Sequence, residues 1–126
     1  TILLALGFIS NTVSEQLTVS SLTVNNNTGC ALTVFPGAAD LNCNRYCNLP
    51  GVNVNPNSHV AIPFPCADMD ALSAGYFTFV GVLDNASGFG AKVANGCGMN
   101  LSATFIDCQG FTRTITLNSP NTVTIQ

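Results

Sequence analysis

The sequence predicts an all-β fold: an antiparallel β-sandwich of about eight strands, with the short, evenly spaced strands of Ig-like and jelly-roll-like folds. Three observations predict it. Apolar residues alternate with Thr, Ser and Asn in many short segments, which is the pattern of half-buried strands. Turns rich in Asn, Gly and Pro separate these segments. Six cysteines in 126 residues indicate disulfide staples.

The first half of the chain contains four predicted strands, each bounded by turn residues. Their ranges are 17–24, 30–34, 51–54 and 60–64. Pro63 lacks a backbone donor, so the fourth strand is expected at a sheet edge or to end there. Residues 40–47 show no strand pattern and are predicted to include a short helical turn.

The second half begins with a predicted short helix at 67–75 and continues as strands. Tyr76–Leu83 is apolar on both faces, which predicts the central and most buried strand. The later predicted strands are 91–94, 99–107, 111–117 and 122–126. The second and third of these are expected to form a hairpin across the turn Asp107–Gly110.

An apolar opening segment, residues 1–14, precedes the predicted β-sandwich domain of residues 15–126. Its run Ile2–Ile9 is too short to span a membrane, which takes about 20 residues. It has the apolar core of a secretory signal but neither an initial Met nor basic residues. Two interpretations stay open: a residual signal, or a segment that is packed on its own chain or donated as a strand to a neighbouring molecule.

The charge content excludes some classes of partner. Charged residues are 7% of the chain and the net charge is −3, with Arg45, Lys92 and Arg113 as the fixed cations. Nucleic-acid binding needs a basic stripe, so no nucleic-acid partner is expected. No long apolar run occurs, so no transmembrane segment is expected. A surface of Asn, Thr and Ser suits a packed or glycosylated subunit.

The cysteines predict three disulfides and therefore a secreted, extracellular or cell-surface protein. They are Cys30, Cys43, Cys47, Cys66, Cys97 and Cys108. Zinc is disfavoured because the chain has no C-x-x-C pair and a single histidine. The pairing stays open, except that a strand at 99–107 would hold Cys97 and Cys108 about 30 Å apart. That distance is too long for a disulfide. Cys43 and Cys47 are expected to tie their loop to different strand ends.

No residue pattern points to catalysis, so the protein is not expected to be an enzyme. His59 lies on a predicted edge strand and no G-x-S-x-G motif accompanies it, so a solvated histidine is expected. The alternating oxygen ligands from Asp40 to Asn44 lack the glycine and glutamate of a calcium loop. The acids Asp68, Asp70 and Asp84 are a second calcium candidate, and it is also disfavoured. No metal or cofactor is expected.

Three N-x-[ST] sequons make glycosylation possible in a secreted chain. Asn26 and Asn85 lie in predicted turns, where a glycan fits. Asn100 begins a predicted strand and is expected to face water.

Three stretches resemble small, secreted, cysteine-bearing β-sandwich proteins of Bacteroidota-type surfaces. They are TVNNNTGCALTVFPG, NVNPNSHVAIPFPC and NLSATFIDCQGFTRTITL. The opening ILLALGFISNTVSEQ similarly resembles signal sequences ending in Ser-Ala-Gln, with Glu15 in place of the alanine. The resemblance implies an extracellular or surface protein without catalytic residues.

The function expected first is a structural subunit of an extracellular filament or pilus-like polymer. Its partner is another copy of the chain, and the apolar opening segment supplies a donor strand. The residues expected to insert into the neighbour are Ile2, Leu3, Leu4, Leu6, Phe8 and Ile9. The alternative is a secreted module that binds glycans or a surface partner, with Tyr46 as the better aromatic platform.

Overall fold

The computed structural model describes residues 21–48, 50–63, 75–119 and 121–126, and only the backbone of Arg45–Asn48 and Ser119. The described chain is all-β, and its ten strands form two sheets of five. The predicted β-sandwich is therefore confirmed. The predictions for residues 1–20, Cys66 and the helix at 67–75 fall almost wholly outside the described residues.

In chain order the strands are β1 (Ser21–Asn26), β2 (Leu32–Ala39), β3 (Arg45–Asn48), β4 (Val52–Val54), β5 (Ser58–Pro63), β6 (Phe77–Asp84), β7 (Gly90–Ala94), β8 (Ser102–Ile106), β9 (Thr112–Ser119) and β10 (Thr122–Ile125). Sheet A has the strand order β5-β1-β10-β9-β8. Sheet B has the order β3-β2-β6-β7, and β4 also pairs with β2. Pro63 ends the edge strand β5, as the sequence predicts.

Sheet A departs from the predicted antiparallel arrangement at one pair of strands. β1 and β10 run parallel, with Thr122 opposite Thr23 and Ile125 opposite Asn26. Parallel neighbours need a long connection. Here that connection is most of the domain, since the chain passes through sheet B between these two strands. The other pairs in sheet A are antiparallel, including the predicted β8–β9 hairpin.

The strand β2 extends further than its sequence predicts, because a gap in the sheet accommodates its proline. On one side β2 pairs with β6 along its whole length. On the other side β4 pairs with Leu32–Val34 and β3 pairs with Gly37–Ala39, so Phe35 and Pro36 have no partner in those two registers. Proline cannot donate a ladder hydrogen bond, and at this gap none is needed.

The helical turn predicted at 40–47 is wrong. The Asp40 carboxylate accepts the backbone N–H groups of Asn42 and Asn44, each at 2.9 Å, and this closes a tight turn. The backbone then continues directly into β3. The local hydrogen bonds of the aspartate therefore compete successfully with a helix.

The core lies between the sheets and consists mainly of β-branched residues and leucine. Its largest fully buried side chains are those of Leu22, Leu32, Ile115, Ile125, Val24, Val34, Val54, Val80, Val93 and Val123. Each such side chain contributes about 1.5–3 kcal/mol when fully buried. This core can therefore hold the sandwich together with very few charged residues.

Two disulfides join the described parts of the chain. Cys30 pairs with Cys108 and Cys43 pairs with Cys97, with Cα–Cα distances of 5.9 and 5.7 Å. Cys97 and Cys108 do not pair with each other, as predicted. Cys43 ties its loop to the connection between β7 and β8 rather than to the end of a strand. The third disulfide stays a prediction. Disulfides persist in oxidising compartments, which fits a secreted or extracellular protein.

Among the described residues, no helix has the length and apolar character needed to cross a membrane.

Candidate functional site

The outer face of sheet B carries an open apolar groove. Two rows of cross-strand partners form it: Phe35–Gly81–Lys92 and, beside it, Leu83–Gly90. Because the two glycines have no side chains, a depression of about 540 Å³ remains between their larger neighbours. We call it the outer groove and define it by Phe35, Gly81, Leu83, Gly90 and Lys92.

The groove exists because β6 is apolar on both faces. Its even-numbered residues, such as Val80 and Val82, pack into the core, and its odd-numbered residues point outward. The strand pairs with β2 and β7 on its two sides, so the predicted central position is confirmed. The predicted burial of both faces holds only at one end, since Phe79 is 9% exposed and Leu83 is 37% exposed.

The covered end of this face lies under residues 95–100 of the connection between β7 and β8, which we call the strap. Gly96 packs so closely on Phe77 that an added Cβ would lie 2.4 Å from the aromatic ring. The Asn95 side chain accepts the backbone N–H of Thr78 at 2.8 Å. The Cys43–Cys97 disulfide fastens the strap to the turn before β3. The strap therefore closes one half of the apolar face and leaves the other half open.

The two glycines of the groove are glycines for different reasons. A Cβ at Gly90 would lie 2.2 Å from the carbonyl oxygen of Val82, so the close approach of the two strands requires glycine there. A Cβ at Gly81 would have its nearest neighbours at 3.7 Å or more, and its φ is not positive. The backbone therefore does not require glycine at position 81, although that glycine is what keeps the groove open.

Of the described residues, one cation, Lys92, lies at the rim of the groove. Lys92 is exposed, and the one salt bridge in the described part of the chain joins Arg113 to Asp107 instead. The groove is otherwise lined by aromatic, aliphatic and glycine residues. Such a surface binds apolar groups and tolerates at most one anionic group at its edge.

A second exposed apolar region lies at the end of the sandwich, on the β6–β7 and β8–β9 loops. Phe89 on the first loop is 58% exposed and Phe111 on the second is 57% exposed. Asp84 links the two loops, since its buried carboxylate accepts the N–H groups of Ala86, Ser87 and Cys108, each at 2.9 Å. The loops are therefore rigid supports for two solvent-facing aromatic rings.

Asp107 fixes the second loop in the same way. One carboxylate oxygen accepts the N–H groups of Gln109 and Phe111, and the other accepts Arg113 Nε at 2.6 Å. Burial raises the pKa of Asp107, but the hydrogen bond from Arg113 and those from the backbone outweigh it, so the pKa lies below its ordinary value. The guanidinium of Arg113 also lies over the Phe111 ring, 5.3 Å from its centroid.

The acids and the histidine singled out in the sequence have structural partners where the structure describes them. Cys30, Asp84 and Cys108 lie close enough together to suggest a metal site. The two sulfurs are bonded to each other, however, and thiolates are the metal-binding form of cysteine. His59 is exposed and its Nδ1 lies 2.7 Å from Asn25 Oδ1.

The structure does not fit Asn26 as a glycan acceptor. Its side chain is fully buried, and its amide nitrogen donates to the carbonyl oxygens of Cys30 and Asn55 at 2.9 and 3.0 Å. Its Oδ1 accepts the backbone N–H and the hydroxyl of Thr28. A glycan would replace one donated hydrogen and would have no room. The prediction for Asn26 is therefore wrong for the folded domain.

The other two sequons are open to solvent. Asn85 and Asn100 are both exposed, so a glycan on either would project away from the sandwich. Their occupancy stays a prediction. The remaining sequence-predicted binding residues, Ile2–Ile9 and the side chain of Tyr46, lie outside what the structure describes.

No protein-family model, curated protein or solved structure matches this chain. The outer groove was not predicted from the sequence. The sequence does contain an indication of the groove. The residues of β6 are apolar on both faces, and a glycine interrupts them although it does not lie in a turn.

Proposed function

We propose that this protein is a structural subunit of an extracellular polymer, joined to copies of itself through its apolar opening segment. The observation that carries the proposal is the amount of exposed apolar surface on a domain with almost no charge. Seven large hydrophobic side chains of the described residues are more than a third exposed: Phe35, Leu41, Leu83, Phe89, Leu101, Ile106 and Phe111. Extensive exposed apolar surface marks interaction sites, and few charges are present to keep copies apart.

The construction of the domain supports a structural role. Two disulfides and the buried carboxylates of Asp84 and Asp107 pin the loops, so the exposed apolar side chains are held on a rigid body. A rigid domain loses little conformational entropy when it associates. The apolar run Ile2–Ile9 offers the complementary group, since apolar surface gains free energy on leaving water.

The test is electron microscopy and analytical ultracentrifugation of native secreted protein and of the Leu4→Asp/Leu6→Asp double variant. Wild-type protein is expected to form uniform filaments, and the variant is expected to remain a folded monomer. The matched control, Asn11→Asp/Thr12→Asp, adds the same charge outside the apolar run and should still assemble. Filaments that survive the double substitution, or wild-type protein that stays monomeric, would overturn the proposal.

A second candidate function, binding of glycans, is favoured by Phe89 and Phe111. Rigidly held, solvent-facing rings are suitable platforms for the apolar faces of sugars, because aromatic side chains give much contact area at little entropic cost. A glycan array signal that disappears in the Phe89→Ala/Phe111→Ala variant, and persists in Phe35→Ala, would support it. An array without signal would reject it.

A further inference from the structure

The outer groove is an open apolar surface, and the chain itself contains an apolar segment that could bind to it. We propose that this groove on one copy receives the apolar opening segment of a second copy, with Ile2, Leu4, Leu6 and Phe8 facing into it. This inference rests on the proposed function and names the surface through which the copies join. In an extended segment, side chains two residues apart share one face, and these four are all large and apolar.

Gly81 gives the strongest reason to regard the groove as a binding site. A glycine inside a strand costs about 0.5–1 kcal/mol relative to alanine. At Gly81 neither φ nor a close contact offsets that cost, since a Cβ there would have only ordinary contacts with Phe35 and Lys92. The one structural effect of this glycine is to keep the floor of the groove open. An open apolar floor is useful only when another group covers it.

The chemistry of the groove fits an apolar strand better than a polar ligand. Phe35 and Leu83 form its walls, and both are substantially exposed at 43% and 37%. Among the residues that the structure describes, Lys92 is the only charged group at its rim. Polar ligands need several convergent hydrogen-bonding groups, and this groove does not provide them. An apolar segment needs only apolar surface and a place for its backbone.

The adjacent strand edge provides a place for the backbone. In the described part of sheet B, β7 is an edge strand, and its residues line one side of the groove. An edge strand presents backbone N–H and C=O groups to an incoming extended segment. A segment that extends sheet B at β7 therefore gains ladder hydrogen bonds, and its outward-facing side chains lie beside Gly90 and Lys92 at the border of the groove.

The position of β1 favours a second copy over the segment of the same copy. The opening segment precedes β1, and β1 lies in sheet A between β5 and β10. The groove lies on the outer face of sheet B, on the opposite side of the sandwich. A segment from the same copy would first have to cross from sheet A to the far side of sheet B, whereas a neighbour can approach that face directly.

A complementation experiment with full-length chains tests the inference. Gly81→Val fills the groove but leaves the opening segment intact, and Leu4→Asp/Leu6→Asp disables the segment but leaves the groove intact. Each variant alone is expected to be monomeric by analytical ultracentrifugation. A 1:1 mixture is expected to form dimers and no longer species, because only one joint per pair is possible.

Two further variants serve as controls. Leu83→Asp places a charge in the wall of the groove at an exposed position, and it should abolish assembly even if Gly81→Val proves unstable. Ala61→Val adds similar bulk on the exposed face of β5 in sheet A and should assemble like wild type. Thermal unfolding of each variant establishes that it is folded.

The outcomes separate this inference from the proposed function. If Leu4→Asp/Leu6→Asp is monomeric but Gly81→Val and Leu83→Asp still polymerise, the opening segment joins the copies elsewhere and the groove assignment is wrong. If the wild type is monomeric at every concentration, both proposals fall. Native mass spectrometry that finds a lipid or another small apolar molecule bound to wild-type protein and absent from Gly81→Val would also overturn the assignment.

Discussion

Replacing Gly81 with alanine should make the domain more stable, although it alters a strand that pairs on both sides. The new Cβ would lie 3.7 Å from Phe35 Cβ and 3.9 Å from Lys92 Cγ, which are ordinary contacts. Alanine restricts the unfolded chain more than glycine does, so the free energy of unfolding should rise by about 0.4–1 kcal/mol. Urea denaturation at constant m-value measures the change.

The matched substitution on the neighbouring strand should have the opposite effect. In Gly90→Ala the Cβ would lie 2.2 Å from the backbone oxygen of Val82, so β6 and β7 must separate. Overpacking of this kind costs about 1–3 kcal/mol. If Gly81→Ala destabilises the domain as much as Gly90→Ala does, glycine is structurally required at both positions. Gly81 would then be needed by the strand itself, and keeping the groove open would not be its role.

Three other substitutions test the supporting structure. The pKa of folded Asp107 lies below the unfolded value of about 3.9, so its charge stabilises the fold above about pH 4, and that contribution disappears as the pH falls through the folded pKa. Asp107→Asn should therefore lower Tm at pH 7 and weaken the pH dependence of Tm below pH 4. A pH profile of Tm that is the same as that of the wild type would refute this. Cys43→Ser/Cys97→Ser removes a disulfide that spans 54 residues and should lower the free energy of unfolding by about 4 kcal/mol. Proteolysis within the strap should also become faster. A free energy of unfolding in urea equal to that of the wild type would contradict this prediction. Asn26→Ala removes the acceptor of the buried backbone N–H of Thr28 and should cost about 2 kcal/mol in urea denaturation, so wild-type stability would show that water reaches this turn.

The strands were predictable from the sequence wherever the alternation of apolar and polar residues is sufficient to determine them. The hairpin of β8 and β9 follows that rule. The central position of β6 was predictable from a different pattern, its apolar residues on both faces. Pro36 and Asp40 mark where the rule fails. A proline can lie within a strand when the neighbouring strands leave a gap, and an aspartate can close a turn where composition suggests a helix. Both outcomes depend on partners distant in sequence or on side-chain hydrogen bonds, which local patterns do not contain.

The candidate site was less predictable because it depends on what covers a surface. The sequence shows that β6 is apolar on both faces, but not that the strap covers Phe79 and leaves Leu83 exposed. A sequon likewise indicates a possible acceptor, but not that the Asn26 side chain makes three hydrogen bonds within the first turn and a fourth to the distant carbonyl oxygen of Asn55. Burial is a property of the assembled sheets, so it appears only with the tertiary structure.

The parallel pairing of β1 with β10 has a mechanical consequence. β1 is an interior strand with β10 on one side and β5 on the other. A pull on the segment before Ser21, directed along the strand, would load both of its hydrogen-bond ladders in shear, so that many bonds resist together and none is peeled away singly. If neighbouring subunits grip that segment, the strand that anchors it is the one best placed to bear tension along a fibre.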